Sequence, residues 1–124
     1  MITVEMYVCD STNDVVFKIY GHAGYAPFGE DPVCAVATGY AQQAILIAQA
    51  LFKEDKLEKR PRIVKESGRV VVVMRPRTFC HPCTLHSDDI EKAEIIAELR
   101  TVISGFDWLI KEYPEFIQFG NAKA

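Results

Sequence analysis

Covalent chemistry in this chain could rest on Cys34, with His22 and Asp31 beside it in the sequence. Asp31 and Pro32 form a sharp helix start, because Asp is a favoured N-cap and Pro is favoured at the first helical position. Pro32, Val33 and Cys34 then occupy the first turn, where unpaired N–H groups and the positive end of the helix dipole favour an anion. A thiol so placed, especially beside a histidine, ionises with a pKa of roughly 3.5 to 7.5, against ~8.5 for a free cysteine. Cys34 is therefore a candidate thiolate nucleophile, and the N–H groups at this helix end, those of Cys34 and Ala35 among them, are candidate donors to the oxyanion of an attacked carbonyl. His22 lies twelve residues upstream and becomes a general base if the intervening loop folds back. Each residue also has a plainer reading: a small buried hydrophobe for Cys34, a loop histidine for His22, a simple cap for Asp31.

A competing cluster is Cys80-His81-Pro82-Cys83-Thr84-Leu85-His86. Two thiols and two imidazoles could hold zinc, and a Cys-x-Pro-Cys spacing also occurs in redox-active dithiols. Structural zinc sites usually take their ligands from two separated pairs, and redox dithiols normally open a helix directly after a strand. Here helix signals begin only at Asp88, so an ordinary reduced loop is expected, with no metal and no cofactor.

The elements that must position Cys34 and His22 follow from periodicity. Ile2, Val4, Met6 and Val8 alternate with more polar neighbours, as do Val15, Phe17 and Ile19 beyond the turn-forming residues 10–14, which predicts a hairpin. Gly21 to Glu30 holds three glycines and a proline, which predicts an irregular loop that opens for substrate. Within it Gly24 and Gly29 bracket Tyr25 and Phe28, two rings expected to touch a bound peptide. The first helix runs to about Glu54 with Val33, Val36, Ala37, Tyr40, Ala41, Ala44, Ile47, Ala48 and Leu51 on its apolar side. Arg62–Lys65 and Arg69–Arg75 flank Ser67-Gly68 as a second hairpin, whose Val70–Val73 run suits a strand at the sheet centre or buried on both faces. A second long helix is expected from a capping pair, Asp88 and Glu91, with a seam of Ile96, Leu99, Ile103, Phe106, Ile110 and Tyr113. Pro114 stops it, and Phe116–Phe119 forms a short last strand before a polar tail. The order ββαββαβ predicts an α+β domain over residues 1–124, with two long helices packed on a mainly antiparallel sheet.

Composition is that of a globular protein, with 49% hydrophobic and 25% charged residues. No run reads as a membrane span and nothing signals export, so a cytoplasmic protein with four free thiols is expected. The net charge is −3, but residues 53–77 hold nine basic and four acidic residues, leaving −8 elsewhere. That stretch is either a solvated helix end and hairpin or a patch for RNA or another anion.

Gly21-His22-Ala23, Tyr25-Ala26 and Gly29-Glu30-Asp31-Pro32-Val33-Cys34-Ala35 together resemble the signature of the ribosomal-processing cysteine protease family, Prp. The pattern is a glycine-histidine pair, a glycine-rich loop, and Asp-x-x-Cys-Ala leading into a helix, and the order of elements agrees over nearly the whole chain. The resemblance implies a homodimeric endopeptidase that removes a short N-terminal extension from ribosomal protein twenty-seven of the large subunit, cutting after a hydrophobic, aromatic-containing sequence. It gives Cys34 the role of nucleophile, His22 that of base, and makes Asp31 the third functional position. The family commonly shows Cys-Ala-Ala-Val-Ser where this chain has Cys34-Ala35-Val36-Ala37-Thr38. Thr38 must then supply the hydroxyl, either near the site or to its own helix backbone. Membrane and nucleic acid are not expected partners. Two other classes stand against the peptidase: a non-catalytic ribosome- or RNA-associated module using the basic stretch, and a metal or redox module built on Cys80 and Cys83.

Overall fold

The alternating apolar runs form a sheet whose strand order is not the chain order. The computed structural model describes residues 1–27, 29–77 and 87–120; the side chains of residues 87–91 also lie outside the described residues. Outside them fall Phe28, the Cys80, His81, Cys83 and His86 cluster, the Asp88 and Glu91 capping pair, and the tail after Gly120. The elements are β1 (Ile2–Val8), β2 (Val15–Tyr20), α1 (Pro32–Lys53), β3 (Arg62–Glu66), β4 (Arg69–Met74), α2 (Ser87–Glu112) and β5 (Ile117–Phe119). The class is α+β, as the pattern predicted.

Among the described residues the sheet runs β3-β4-β2-β1-β5. All neighbours are antiparallel except β1 and β5, which pair in parallel from Ile2 opposite Ile117. The pairing of β2 with β4 thus joins the two hairpins, with Val15 opposite Met74, Phe17 opposite Val72 and Tyr20 opposite Arg69. This register brings the end of β2, and so Gly21 and His22, to the start of β4.

Directly paired residues share a sheet face. The face carrying Ile2, Val4, Phe17, Ile19, Val72 and Met74 is buried under the helices. Burying each such side chain contributes roughly 1.5–3 kcal/mol. On β4, Val70, Val72 and Met74 are buried while Val71 and Val73 are only half-buried, so the strand is interior to the sheet but open on its far face.

The helices meet the sheet with corrections to the expected seams. In α1, Val33, Ala37, Ala41, Ala44, Ile45, Ile47, Ala48 and Leu51 are buried, whereas Val36 is exposed and Tyr40 half-buried. Small residues at 37, 41, 44 and 48 let the helix approach closely, which leaves no room to roll Val36 inward. By length and composition α1 is apolar enough to cross a membrane, against the expectation that no segment would be, yet this side is packed in the core. In α2 the buried line is Ile95, Leu99, Val102, Phe106 and Leu109; Leu99 and Phe106 fall where the seam was predicted, while Ile95, Val102 and Leu109 take the places expected of Ile96, Ile103 and Ile110. Ile96, Ile103, Ile110 and Tyr113 flank it, partly buried. Phe106, common to the expected and the observed lines, packs its ring 6.0 Å from that of Phe17 and 5.3 Å from that of Tyr40.

Candidate active site

Asp31 organises the junction of loop and helix. It is the N-cap of α1, with Pro32 at the first helical position. Its Oδ1 accepts the N–H groups of Val33 at 2.9 Å and Cys34 at 3.1 Å. Its Oδ2 reaches back into the loop to accept those of Tyr25 at 3.0 Å and Ala26 at 3.2 Å. Burial raises the pKa of this carboxyl, but the four N–H donors outweigh it and hold the group below its ordinary value. One side chain therefore caps the helix and ties the loop to it.

This arrangement overturns one expectation. The N–H of Cys34 is spent on Asp31 Oδ1, and that of Ala35 donates to the backbone carbonyl of Asp31 at 3.0 Å. Neither is open to an oxyanion, because capping and the first helical hydrogen bond consume both donors. The donor that does reach the sulfur comes from the loop: the N–H of Ala23 points to Cys34 Sγ at 3.4 Å. Cys34 is half-buried and unbridged.

Cys34 and His22 open onto the same cavity of about 550 Å³. Gly21, Gly24, Gly29, Asp31, Ala35 and Thr38 also line it, so most of the predicted site residues are brought together. The floor is apolar, made by Ile2 and Ile19 of the sheet and Ala37 and Ala41 of α1, with Val70 beside them. Lys65 to Arg69, at the turn between β3 and β4, form a wall. The Lys65 ammonium donates to Gln42 Oε1 at 2.6 Å, tying that wall to α1.

Two predicted residues behave differently. Tyr25 is not among the lining residues: its ring stands edge-on to those of Tyr113 at 5.5 Å and Phe116 at 5.1 Å. It fastens the loop to the end of α2 rather than facing the cavity. The Thr38 hydroxyl donates to the carbonyl of Cys34 at 2.7 Å, the bond to its own helix that its position allowed.

Sequence reasoning missed Ala23, Ala41 and the β3–β4 turn as parts of this site. Ser67-Gly68 was legible as a turn, but its place beside His22 depends on the non-local pairing of β2 with β4. Four of the nine basic residues in the stretch pair with carboxylates: Lys56 with Glu94, Arg69 with Glu66, Arg75 with Asp14 and Arg77 with Asp55. Among the described residues no cluster of three or more metal-ligating side chains occurs.

The sequence profile described as cysteine protease Prp matches residues 1–118. The chain belongs to the cysteine protease Prp family. It is a cysteine protease. Its fold is that of the ribosomal processing protease Prp from S. aureus, seen with a covalently linked product peptide. That structure has a TM-score of 0.62 and 23% identity, covering 97% of this chain and 98% of that one. The same S. aureus protease with a substrate peptide gives a TM-score of 0.59, again at 23% identity and with the same coverage. A Streptococcus mutans protein is similar at a TM-score of 0.55 and 18% identity, over 96% of this chain and 91% of its own. No curated protein matches the chain significantly.

Proposed function

We propose that this protease removes an N-terminal extension from ribosomal protein twenty-seven of the large subunit, with Cys34 as nucleophile and His22 as general base. The observation that carries the reading is the meeting of Cys34 and His22 on one cavity, with the Ala23 N–H at the sulfur. Membership of the Prp family supports the cysteine chemistry, and the similar S. aureus ribosomal processing protease, seen with a substrate and with a product peptide, supports the substrate class.

The Cys34 thiol gives its proton to the His22 imidazole, and the sulfur bonds to the scissile carbonyl carbon. The C–N bond then breaks as the imidazolium returns the proton to the leaving amine. Water attacks the thioester, yielding a proton to the imidazole, and the sulfur departs to be reprotonated. Asp31 acts through structure, fixing the helix start and the loop around the reacting atoms. The apolar floor of Ile2, Ile19, Ala37 and Ala41 suits an apolar side chain next to the cleaved bond, as a hydrophobic, aromatic-containing cleavage sequence provides. The enzyme acts in the cytoplasm and as a homodimer, which light scattering of the purified protein checks.

The test is mass spectrometry of an extended ribosomal precursor after incubation with the protein, its Cys34→Ala variant and its His22→Ala variant. Cleavage by the parent and none by either variant, with circular dichroism unchanged, supports the assignment; cleavage by either variant refutes it.

A further inference from the structure

The end of β2 is held against the turn that opens β4. Gly21 N–H donates to the carbonyl of Gly68 at 2.8 Å, continuing the β2–β4 ladder one step past Tyr20 and Arg69. Gly21 has φ 100°, and a Cβ there would collide with the Met1 carbonyl oxygen. The chain at this point is therefore fixed in a conformation only glycine adopts readily.

His22 follows immediately, and its ring stands on Gly68. A Cβ built on Gly68 would lie 2.6 Å from His22 Nε2 and 3.0 Å from Cε1. The imidazole thus occupies the volume that any other residue at 68 would fill. One residue further on, Ala23 presents its N–H to Cys34 Sγ at 3.4 Å. A single three-residue segment carries both the base and the donor at the sulfur, and Gly68 holds its first residue by a hydrogen bond and its second by contact.

We infer that Gly68 is a positioning residue of the protease, the seat on which the β3–β4 turn sets the His22 imidazole for its work on Cys34. The inference deepens the proposed function and rests on His22 being the base. Gly68 also has φ 74°, so a substitution tests two properties at once, the left-handed backbone and the missing side chain. Asparagine separates them, because it tolerates the left-handed region yet carries a Cβ. Gly68→Ala and Gly68→Asn should both lower kcat by about 100-fold, the scale of a reacting group displaced by an ångström, with KM held.

The experiment is steady-state cleavage of the extended precursor by the full-length protein, both Gly68 variants and His22→Ala, with melting curves for each. Equal losses in kcat for the two Gly68 variants, at unchanged KM, support the seat. Parent-like kcat in Gly68→Asn overturns it, since the turn then needs only its backbone angle; so does a loss carried by KM. If His22→Ala still cleaves, the base assignment has failed and the seat falls with it. An inactive His22→Ala beside fully active Gly68 variants sinks the seat alone. Should neither Gly68 variant fold, nuclear Overhauser contacts between the Gly68 α-protons and the His22 ring protons in the unmodified protein decide. Their presence sustains the inference and their absence ends it.

Discussion

Replacing Asp31 by asparagine should cut the loop from the helix while leaving the helix capped. The two carboxylate oxygens have separate duties: Oδ1 serves Val33 and Cys34, and Oδ2 serves Tyr25 and Ala26. Asparagine keeps one oxygen and is itself a good N-cap, but its NH₂ group would face the two loop N–H groups with nothing to accept them. Losing a cap costs about 0.5–2 kcal/mol. Each hydrogen bond to a charged acceptor is worth about 1.5–3 kcal/mol, less here because Tyr25 is half exposed and its freed N–H can take up water. Asp31→Ala should therefore lose about 3 kcal/mol and Asp31→Asn about 1–2 kcal/mol. In Tm these amount to about 10 °C and about 5 °C. Hydrogen exchange should speed up at Tyr25 and Ala26 in both variants, and at Val33 and Cys34 only in Asp31→Ala. The pH dependence has a definite sign. The folded carboxyl titrates below its ordinary value of 3.8, so its contribution is fully present above that pH and disappears as pH falls through the folded value. The gap between parent and Asp31→Asn should hold at neutrality and close in acid. Equal Tm and loop protection in Asp31→Asn and the parent, with activity alone lost, would refute the clamp and leave orientation of His22 as the role of Asp31.

Two further perturbations probe the floor and the remote thiol. Ala41 is buried on the cavity floor, so Ala41→Leu should raise KM about tenfold for a precursor cut after an aromatic residue, the scale of about 1–3 kcal/mol for overfilling a packed site. A precursor with alanine there should be affected less, and equal effects on the two would show that the floor does not receive this side chain. Cys9 lies outside the cavity, and hydrogen bonds from the Ser11 and Thr12 hydroxyls lower its pKa to about 7. Its alkylation by iodoacetamide, followed by peptide mapping, should be half-maximal near that pH and shift upward in Ser11→Ala. Cys9→Ser should cleave like the parent.

The start of α1 was legible because Asp31 and Pro32 are local signals, each acting within one helical turn. The same cap hid its cost, since a side chain that satisfies the N–H of Cys34 removes it from the oxyanion, and which need wins depends on where the carboxylate points. The second oxygen of Asp31 was illegible for a related reason. Its partners, Tyr25 and Ala26, lie in a loop whose path no periodicity describes.

The phase of α2 shows a different limit. Ile95 and Ile96, Val102 and Ile103, and Leu109 and Ile110 are adjacent apolar pairs, so two parallel stripes satisfy the helical period equally well. Leu99 and Phe106 are common to both, so the choice is made by packing against the rest of the core and by nothing within the helix.

The relation of His22 to Gly68 lies further from any local signal, because forty-six positions separate them and nothing local to either foretells the other. Antiparallel pairing of β2 with β4 is what joins them, and that choice belongs to the whole core: Phe17 must oppose Val72 for both to be buried under the helices. A slip of one residue would turn Phe17 to the open face and carry His22 off its seat in the same movement. Register in the core and the placing of the base are thus one constraint, which is why the chemistry of Cys34 depends on how the apolar residues of the sheet pair.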